Sequence, residues 1–106
     1  MITASFDQKL HAIADPTRRR ILQELKPGSA AFASVAFAGK SAPAKPVLCA
    51  GDIEERVGLA QPTISHHMAI LTKAGLVEAV KQGQWRWYRR NEKALRQLVK
   101  RLRREL

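Results

Sequence analysis

Apolar positions along the chain recur at helical spacing over most of its length and switch to a period of two in one stretch. Phe6, Leu10 and Ile13, with Ala12 and Ala14 beside them, predict a first helix from about Ser5 to Ala14. Asp15-Pro16 then punctuates the chain: the Asp can accept hydrogen bonds from the free N–H groups of a second helix, and Pro suits its first position, where no donor is needed. That helix, T-R-R-R-I-L-Q-E-L-K, should end near Pro27-Gly28 and turn Ile21, Leu22 and Leu25 to the core. Val47-Leu48-Cys49 reads as a short strand or extended lead-in, and Ala50 or Gly51 opens a third helix whose Asp52, Glu54 and Glu55 suit its positive N-terminal end.

Ile53, Val57 and Leu59 are expected to bury the inner side of the third helix and its turn, Gly58 allowing the tight backbone. A fourth helix starts near Gln61-Pro62, with Ile64, Met68 and Leu71 as its inward stripe, and Gly75 ends it as a left-handed cap. From Leu76 to Arg90 the period changes, and Val77, Val80, Trp85, Trp87 and Tyr88 mark two strands around a turn at Gly83. Asn91 can cap a last helix carrying Leu95, Leu98, Val99 and Leu102 as one apolar stripe.

Two short amphipathic helices joined by a glycine turn, followed at once by a β-hairpin, make the winged helix-turn-helix pattern. The expected fold is therefore mainly α with a small β-hairpin wing, about five helices in one domain over residues 1–106. Residues 27–46 interrupt it. This Ala/Ser/Pro-rich stretch, with the apolar island Phe32–Ala38, is read as an inserted loop with at most one short helical turn, or as an extra element if Phe32, Val35 and Phe37 dock. The stripe on the last helix has little else to bury it in so small a domain, which points to pairing with a second copy, to packing on the first helix of the same chain, or to both.

Charge sharpens the functional expectation. The chain carries 19 Lys/Arg against 9 Asp/Glu, a net +10, and residues 81–106 hold ten of the basic residues against two Glu. A phosphate backbone or other polyanion would be favoured at the wing and last helix, although basic terminal helices are also often only solvated. The single cysteine excludes an intrachain disulfide framework and any site built from several thiolates of one chain, and fits a reducing cytosol. There is neither an apolar run of about 18 residues nor a secretion leader, so a cytoplasmic protein without membrane contact is expected. No Ser/His/Asp set, carboxylate pair or phosphate loop occurs at workable spacing, so neither an enzyme nor a bound cofactor is expected.

The inward stripe of the fourth helix leaves Thr63, Ser65, His66, Ala69, Thr72 and Lys73 more outward, with Gln61 at the leading edge. Gln can contact adenine through two hydrogen bonds, Ser and Thr can bond bases or phosphates, and Ala can touch a thymine methyl. Free N–H groups at the start of the helix add a phosphate site. His66 and His67 point about 100° apart and cannot share one metal on one helix face. His66 is the candidate DNA contact and His67 a half-buried packing residue. At the wing tip Lys81, Gln82, Gln84 and Arg86 flank Gly83, where a basic ribbon would reach phosphates or the minor groove. Trp85 and Trp87 share a face, more a packed edge than a stacking platform. Arg18-Arg19-Arg20 is a weaker patch, one of the three being expected to turn to a backbone or carboxylate partner. Two rival readings remain: a protein-interaction module using the Trp85/Trp87 and Phe32/Phe37 surface, and a sequence-neutral nucleic-acid binder.

The chain resembles the ArsR/SmtB family of small bacterial repressors through A-D-P-T-R-R-R-I-L (Ala14–Leu22), L-C-A-G-D-I (Leu48–Ile53), Q-P-T-I-S-H-H-M-A-I-L (Gln61–Leu71), A-G-L-V (Ala74–Val77) and G-Q-W-R-W-Y-R (Gly83–Arg89). The resemblance implies a homodimer paired through its first and last helices, binding a double-stranded DNA operator and released by an inducer, here an unknown small molecule or a redox signal. Three departures bear on mechanism. Cys49 matches the first thiolate of the family's C-x-C metal site, but Gly51 stands at the second; residues 91–106 contain no histidine for the site on the last helix; and the insert is longer than usual. No metal is therefore expected at either site. Ala60 replaces a Ser often found before the recognition helix, and Gln84 lacks the charge of an Arg often found at the wing. Cys49 keeps three readings: a small buried residue, a redox or electrophile switch whose pKa the helix N-terminus lowers, or a metal ligand helped by a partner subunit or His11.

Overall fold

The computed structural model describes residues 4–26, 48–82 and 85–106. Helix α1 spans Phe6–Ile13, α2 Pro16–Glu24, α3 Ala50–Val57, α4 Gln61–Lys73 and α5 Glu92–Glu105; strands β1, β2 and β3 are Leu48–Cys49, Val77–Gln82 and Trp85–Arg90. The expectations for the 27–46 insert, the Gly83 turn and Gln84 fall outside the described residues.

Helix starts follow local chemistry. Ser5 Oγ accepts from the Gln8 amide at 3.1 Å while Gln8 Oε1 accepts from the Ser5 amide at 2.7 Å, a reciprocal box that satisfies two free donors. Asp15 caps α2 by accepting from the Arg18 amide at 3.0 Å, with Pro16 in the first turn. That bond holds the Asp15 carboxyl below its ordinary 3.8. Asn91 caps α5 through the Ala94 amide and also donates to Gly75 O at 3.1 Å, which ties the start of α5 to the end of α4.

Helix α4 ends in a Schellman turn: Gly75 N donates to Thr72 O and Leu76 N to Leu71 O, with Gly75 at φ 78°. This left-handed residue aims the chain into the wing, and Leu76 is fully buried beside it. Gly58, at φ 77°, also closes α3 in the left-handed conformation, its amide donating to Glu54 O at 2.8 Å. Leu59 departs from expectation: it is exposed, because one residue beyond the left-handed Gly58 the helical repeat no longer decides where a side chain points. Helix α2 also stops earlier than expected, at Glu24 with Leu25 as its cap.

The lead-in before α3 is an edge strand of a three-stranded antiparallel sheet ordered β1-β3-β2. Leu48 faces Tyr88 and Cys49 faces Trp87. Ile21, Leu25, Leu48, Ile53, Ile64, Leu71, Leu76 and Val77 are the largest fully buried side chains, so one core joins α2, α3, α4 and the sheet. Phe6, Leu10 and Ile13 of α1 and Leu95 and Leu102 of α5 pack on its edge, while Val99 remains 55% exposed. The Arg101 guanidinium lies 4.1 Å from the Phe6 ring centroid, so α5 does pack on α1 of its own chain.

All three arginines of the triplet find partners within the chain, where one was expected to. Arg18 donates to Ala12 O at 2.7 Å and His11 O at 3.1 Å, and Arg19 to Ile13 O at 2.7 Å, all in the last turn of α1. Arg20 pairs with Glu24 and donates to Arg56 O in the last turn of α3, and Arg90 donates to Leu22 O in the last turn of α2. Cations here meet last-turn carbonyls at the negative ends of helices, one of which, His11 O, also accepts from the Ala14 amide. These four charges hold the helices together and are not surplus positive surface.

Candidate nucleic-acid interface

The apolar stripe of α4 turns Ile64, Met68 and Leu71 into the core and leaves Gln61, Thr63, Ser65, His66, Ala69 and Lys73 exposed, with Thr72 half-buried. The exposed residues thus lie on one side of a helix that the Schellman turn and the α3 packing hold in place. At its start Ala60 makes no side-chain cap, and Pro62 brings no donor, so the first-turn N–H groups of Gln61 and Thr63 are open to an anion. Gln61 Nε2 donates to Ser65 Oγ at 3.1 Å, one turn along, which orients both groups together.

The wing adds its cations from the same side. In the β2–β3 register Lys81 lies directly opposite Arg86, Ala79 opposite Tyr88 and Val77 opposite Arg90, so these pairs share one face of the ribbon. Like charges directly across an antiparallel pair oppose folding. Among the described residues no carboxylate pairs with either Lys81 or Arg86, whereas on the other face Arg89 is matched with Glu78 at 3.6 Å. An anion from outside the chain would relieve that repulsion.

Helix and wing meet in a cleft of about 320 Å³ lined by Ser65, Met68, Ala69, Thr72, Lys73, Ala79, Arg86 and Tyr88. It brings Ser65, Lys73 and Arg86 together from two elements. Sequence reasoning placed Ala79 and Tyr88 only as strand markers or not at all. The period of two, counted from Arg86, would have put Tyr88 on the same face. Gln61, Thr63 and His66 lie further along α4, outside the cleft lining but on its exposed side. Trp87 is buried as part of the packed wing.

Cys49 stands apart from this surface. It is 4% exposed in β1, and its thiol donates to Asp52 Oδ2 at 3.2 Å, the oxygen that also accepts from the Cys49 amide. Burial pushes the thiol above its ordinary 9.0, and Asp52 adds to the rise through its side-chain bond and negative charge. The Asp52 and Gly51 amides at the start of α3 act the other way, as the redox reading supposed, but burial outweighs them. Among the described residues no group of three or more His, Cys, Asp or Glu side chains comes together in a form able to hold a metal ion.

His67, half-buried as expected, has a partner that the sequence did not reveal: Arg18 Nη1 lies 3.1 Å from its Nδ1. Burial lowers its pKa below the ordinary 6.5, the nearby Arg18 and His66 act in the same direction, and Asp15 partly offsets them.

A helix-turn-helix whose second helix presents a polar face beside a cationic two-stranded ribbon defines a winged helix-turn-helix DNA-binding regulator. Residues 44–79 match the family described as bacterial regulatory protein, arsR family. The chain is 34% identical over 88 residues to the transcriptional repressor SdpR of Bacillus subtilis, covering 83% of this chain and 78% of that protein. It therefore belongs to the arsR family of transcriptional regulators. The ArsR-like transcriptional regulator from Rhodococcus sp. RHA1 superposes with a TM-score of 0.71 at 25% identity, over 93% of this chain and 74% of that one. A homodimeric winged helix-turn-helix DNA-binding domain from Mycobacterium bovis shares the fold, with a TM-score of 0.63 at 23% identity over 88% and 70% of the two chains.

Proposed function

We propose that the protein is a homodimeric, cytoplasmic repressor, one domain over residues 1–106 with no catalytic activity of its own, that reads an inverted-repeat operator and leaves it when an inducer binds. The observation that carries this is the pair of unmatched cations, Lys81 and Arg86, set on the ribbon face that joins the exposed side of α4. Gln61, Thr63, Ser65 and His66 contact base edges or adjacent phosphates, Lys73, Lys81 and Arg86 contact phosphates, and Gln84 at the wing tip follows the minor groove. The open N–H groups of Gln61 and Thr63 hold a further phosphate.

Dimerisation is supported by Val99, exposed between the half-buried Leu95 and Leu102 on α5, and by the apolar edge that α1 adds through Phe6 and Leu10. The relative named a repressor and the fold neighbour titled a homodimer favour the same reading. The inducer is not a metal held at the family's usual sites, since Gly51 and the histidine-free last helix lack the ligands. The raised pKa and burial of Cys49 favour its structural role over a redox one. No helix among the described residues is long and apolar enough to cross a membrane.

Selection of bound sites from a random duplex pool by purified protein tests the proposal. An inverted repeat with half-sites about one helical turn apart is expected. Ser65→Ala with His66→Ala should erase sequence preference more than general affinity; an unchanged preference, or a pool with no enriched repeat, would overturn the assignment.

A further inference from the structure

Arg18 is 6% exposed, and its guanidinium makes three contacts that lead in two directions. Nε and Nη2 hold the carbonyls of Ala12 and His11 at the end of α1, and Nη1 reaches His67 Nδ1 on α4, 49 residues away. Arg is protonated at all accessible pH values and has only donors to offer. Nδ1 of His67 must therefore be the acceptor, which places the ring proton on Nε2 and requires a neutral imidazole. A second proton would remove the acceptor and set a cation against a buried guanidinium. The charged groups that act on His67 are Asp15 at the cap of α2, Arg18 on α2 and His66 on α4.

The position of His67 gives this bond its consequence. It sits between His66 and Met68, on the turn of α4 where the exposed reading face meets the core stripe. The other end of the link is α1, the helix that carries Phe6 and Leu10 at the proposed dimer edge. The bond thus sets α4 against the element that sets the distance to the partner's copy of α4.

We propose that Arg18 and His67 are a positioning pair that locks the reading helix to the end of α1, and that operator preference requires neutral His67 and is lost when the ring takes a second proton. The proposal rests on α4 being the DNA-reading helix. Neither residue touches DNA in this arrangement; both act through the angle and register of α4. His66 is unchanged in His67→Asn, so the difference between that variant and the wild type isolates His67 from the neighbouring reading residue.

The test titrates full-length protein by fluorescence anisotropy onto a duplex carrying the selected repeat and onto a scrambled duplex, from about pH 5.5 to about pH 8. His67→Asn, whose amide oxygen keeps an acceptor near the Nδ1 position and does not titrate, and Arg18→Lys, which cannot span all three partners, are measured alongside. Wild-type preference should fall about tenfold on acidification, the scale of one hydrogen bond to a charged group. His67→Asn should keep its preference across the range, and Arg18→Lys should lose about as much at every pH. A wild-type ratio that does not change with pH, or the same fall in His67→Asn, overturns the positioning pair while leaving the DNA-reading assignment intact. A wild type without preference at any pH overturns both. Should Arg18→Lys fail to fold, the comparison of wild type with His67→Asn still decides.

Discussion

Replacing Lys81 and Arg86 together by Gln should weaken DNA binding and leave the fold as stable as before, or more so. The two cations face each other across β2 and β3 with no carboxylate partner among the described residues, so the free protein bears their repulsion. Solvent screening keeps that cost small, about 0.5 kcal/mol or less. On DNA the same charges would each neutralise a phosphate and release a counterion, worth about 0.9 in the slope of log affinity against log salt. A dimer presents two wings and four such charges, so the slope should become shallower by about 3.6. Between about 50 and 200 mM salt the wild-type affinity should then fall about 150-fold more than that of the variant. Anisotropy titrations at several salt concentrations give the slope, and thermal unfolding without DNA gives the stability. An unchanged slope would show that the wing does not reach phosphates, and a lowered unfolding midpoint would show that the cations serve the fold.

Val99→Asp should convert the dimer to a monomer by sedimentation analysis with little loss of monomer stability, since Val99 is 55% exposed in the single chain. Operator affinity should drop by at least about 100-fold as one half-site is lost; a dimer that persists would place the interface elsewhere. Cys49→Ser should leave DNA binding unchanged with and without oxidant, and the wild-type thiol should react slowly with an alkylating reagent, because it is buried with its pKa raised. Fast alkylation in the folded state would contradict the burial. Acidification should lower the unfolding midpoint in two stages. His67 has a depressed folded pKa, so its contribution is present above the ordinary 6.5 and is lost as pH falls below it. Asp15 follows, contributing above its ordinary 3.8 and losing that contribution at lower pH. In His67→Asn the first stage should disappear.

Much of the fold was legible because its signals act within a turn of the residues that carry them. Ser5, Asp15 and Asn91 each cap the helix that follows through an amide three residues on. Gly58 and Gly75 mark the two left-handed positions, and Ile64, Met68 and Leu71 bury as their spacing requires. Exposure of Gln61, Thr63, Ser65, His66 and Lys73 followed from the same spacing, whereas the opposition of Lys81 and Arg86 came only with the β2–β3 register. The expectation for Leu59 failed where periodicity ended at a turn, and of the readings left open for Cys49 the lowered pKa did not hold, because burial outweighs the amides at the start of α3.

By itself, then, the sequence determined where helices begin, which faces are apolar and where positive charge gathers, since these depend on neighbours three or four residues away. Which charges remain free was decided only in three dimensions. Arg19 and Arg20 look alike in sequence, yet one closes α1 on Ile13 and the other reaches α3 at Arg56, 36 residues distant, while Arg90 spans 68 residues to Leu22. The link from Arg18 to His67 belongs to the same class. A guanidinium takes whatever carbonyl or ring nitrogen the packed helices bring within reach, and no local pattern along the chain records which helix end that will be.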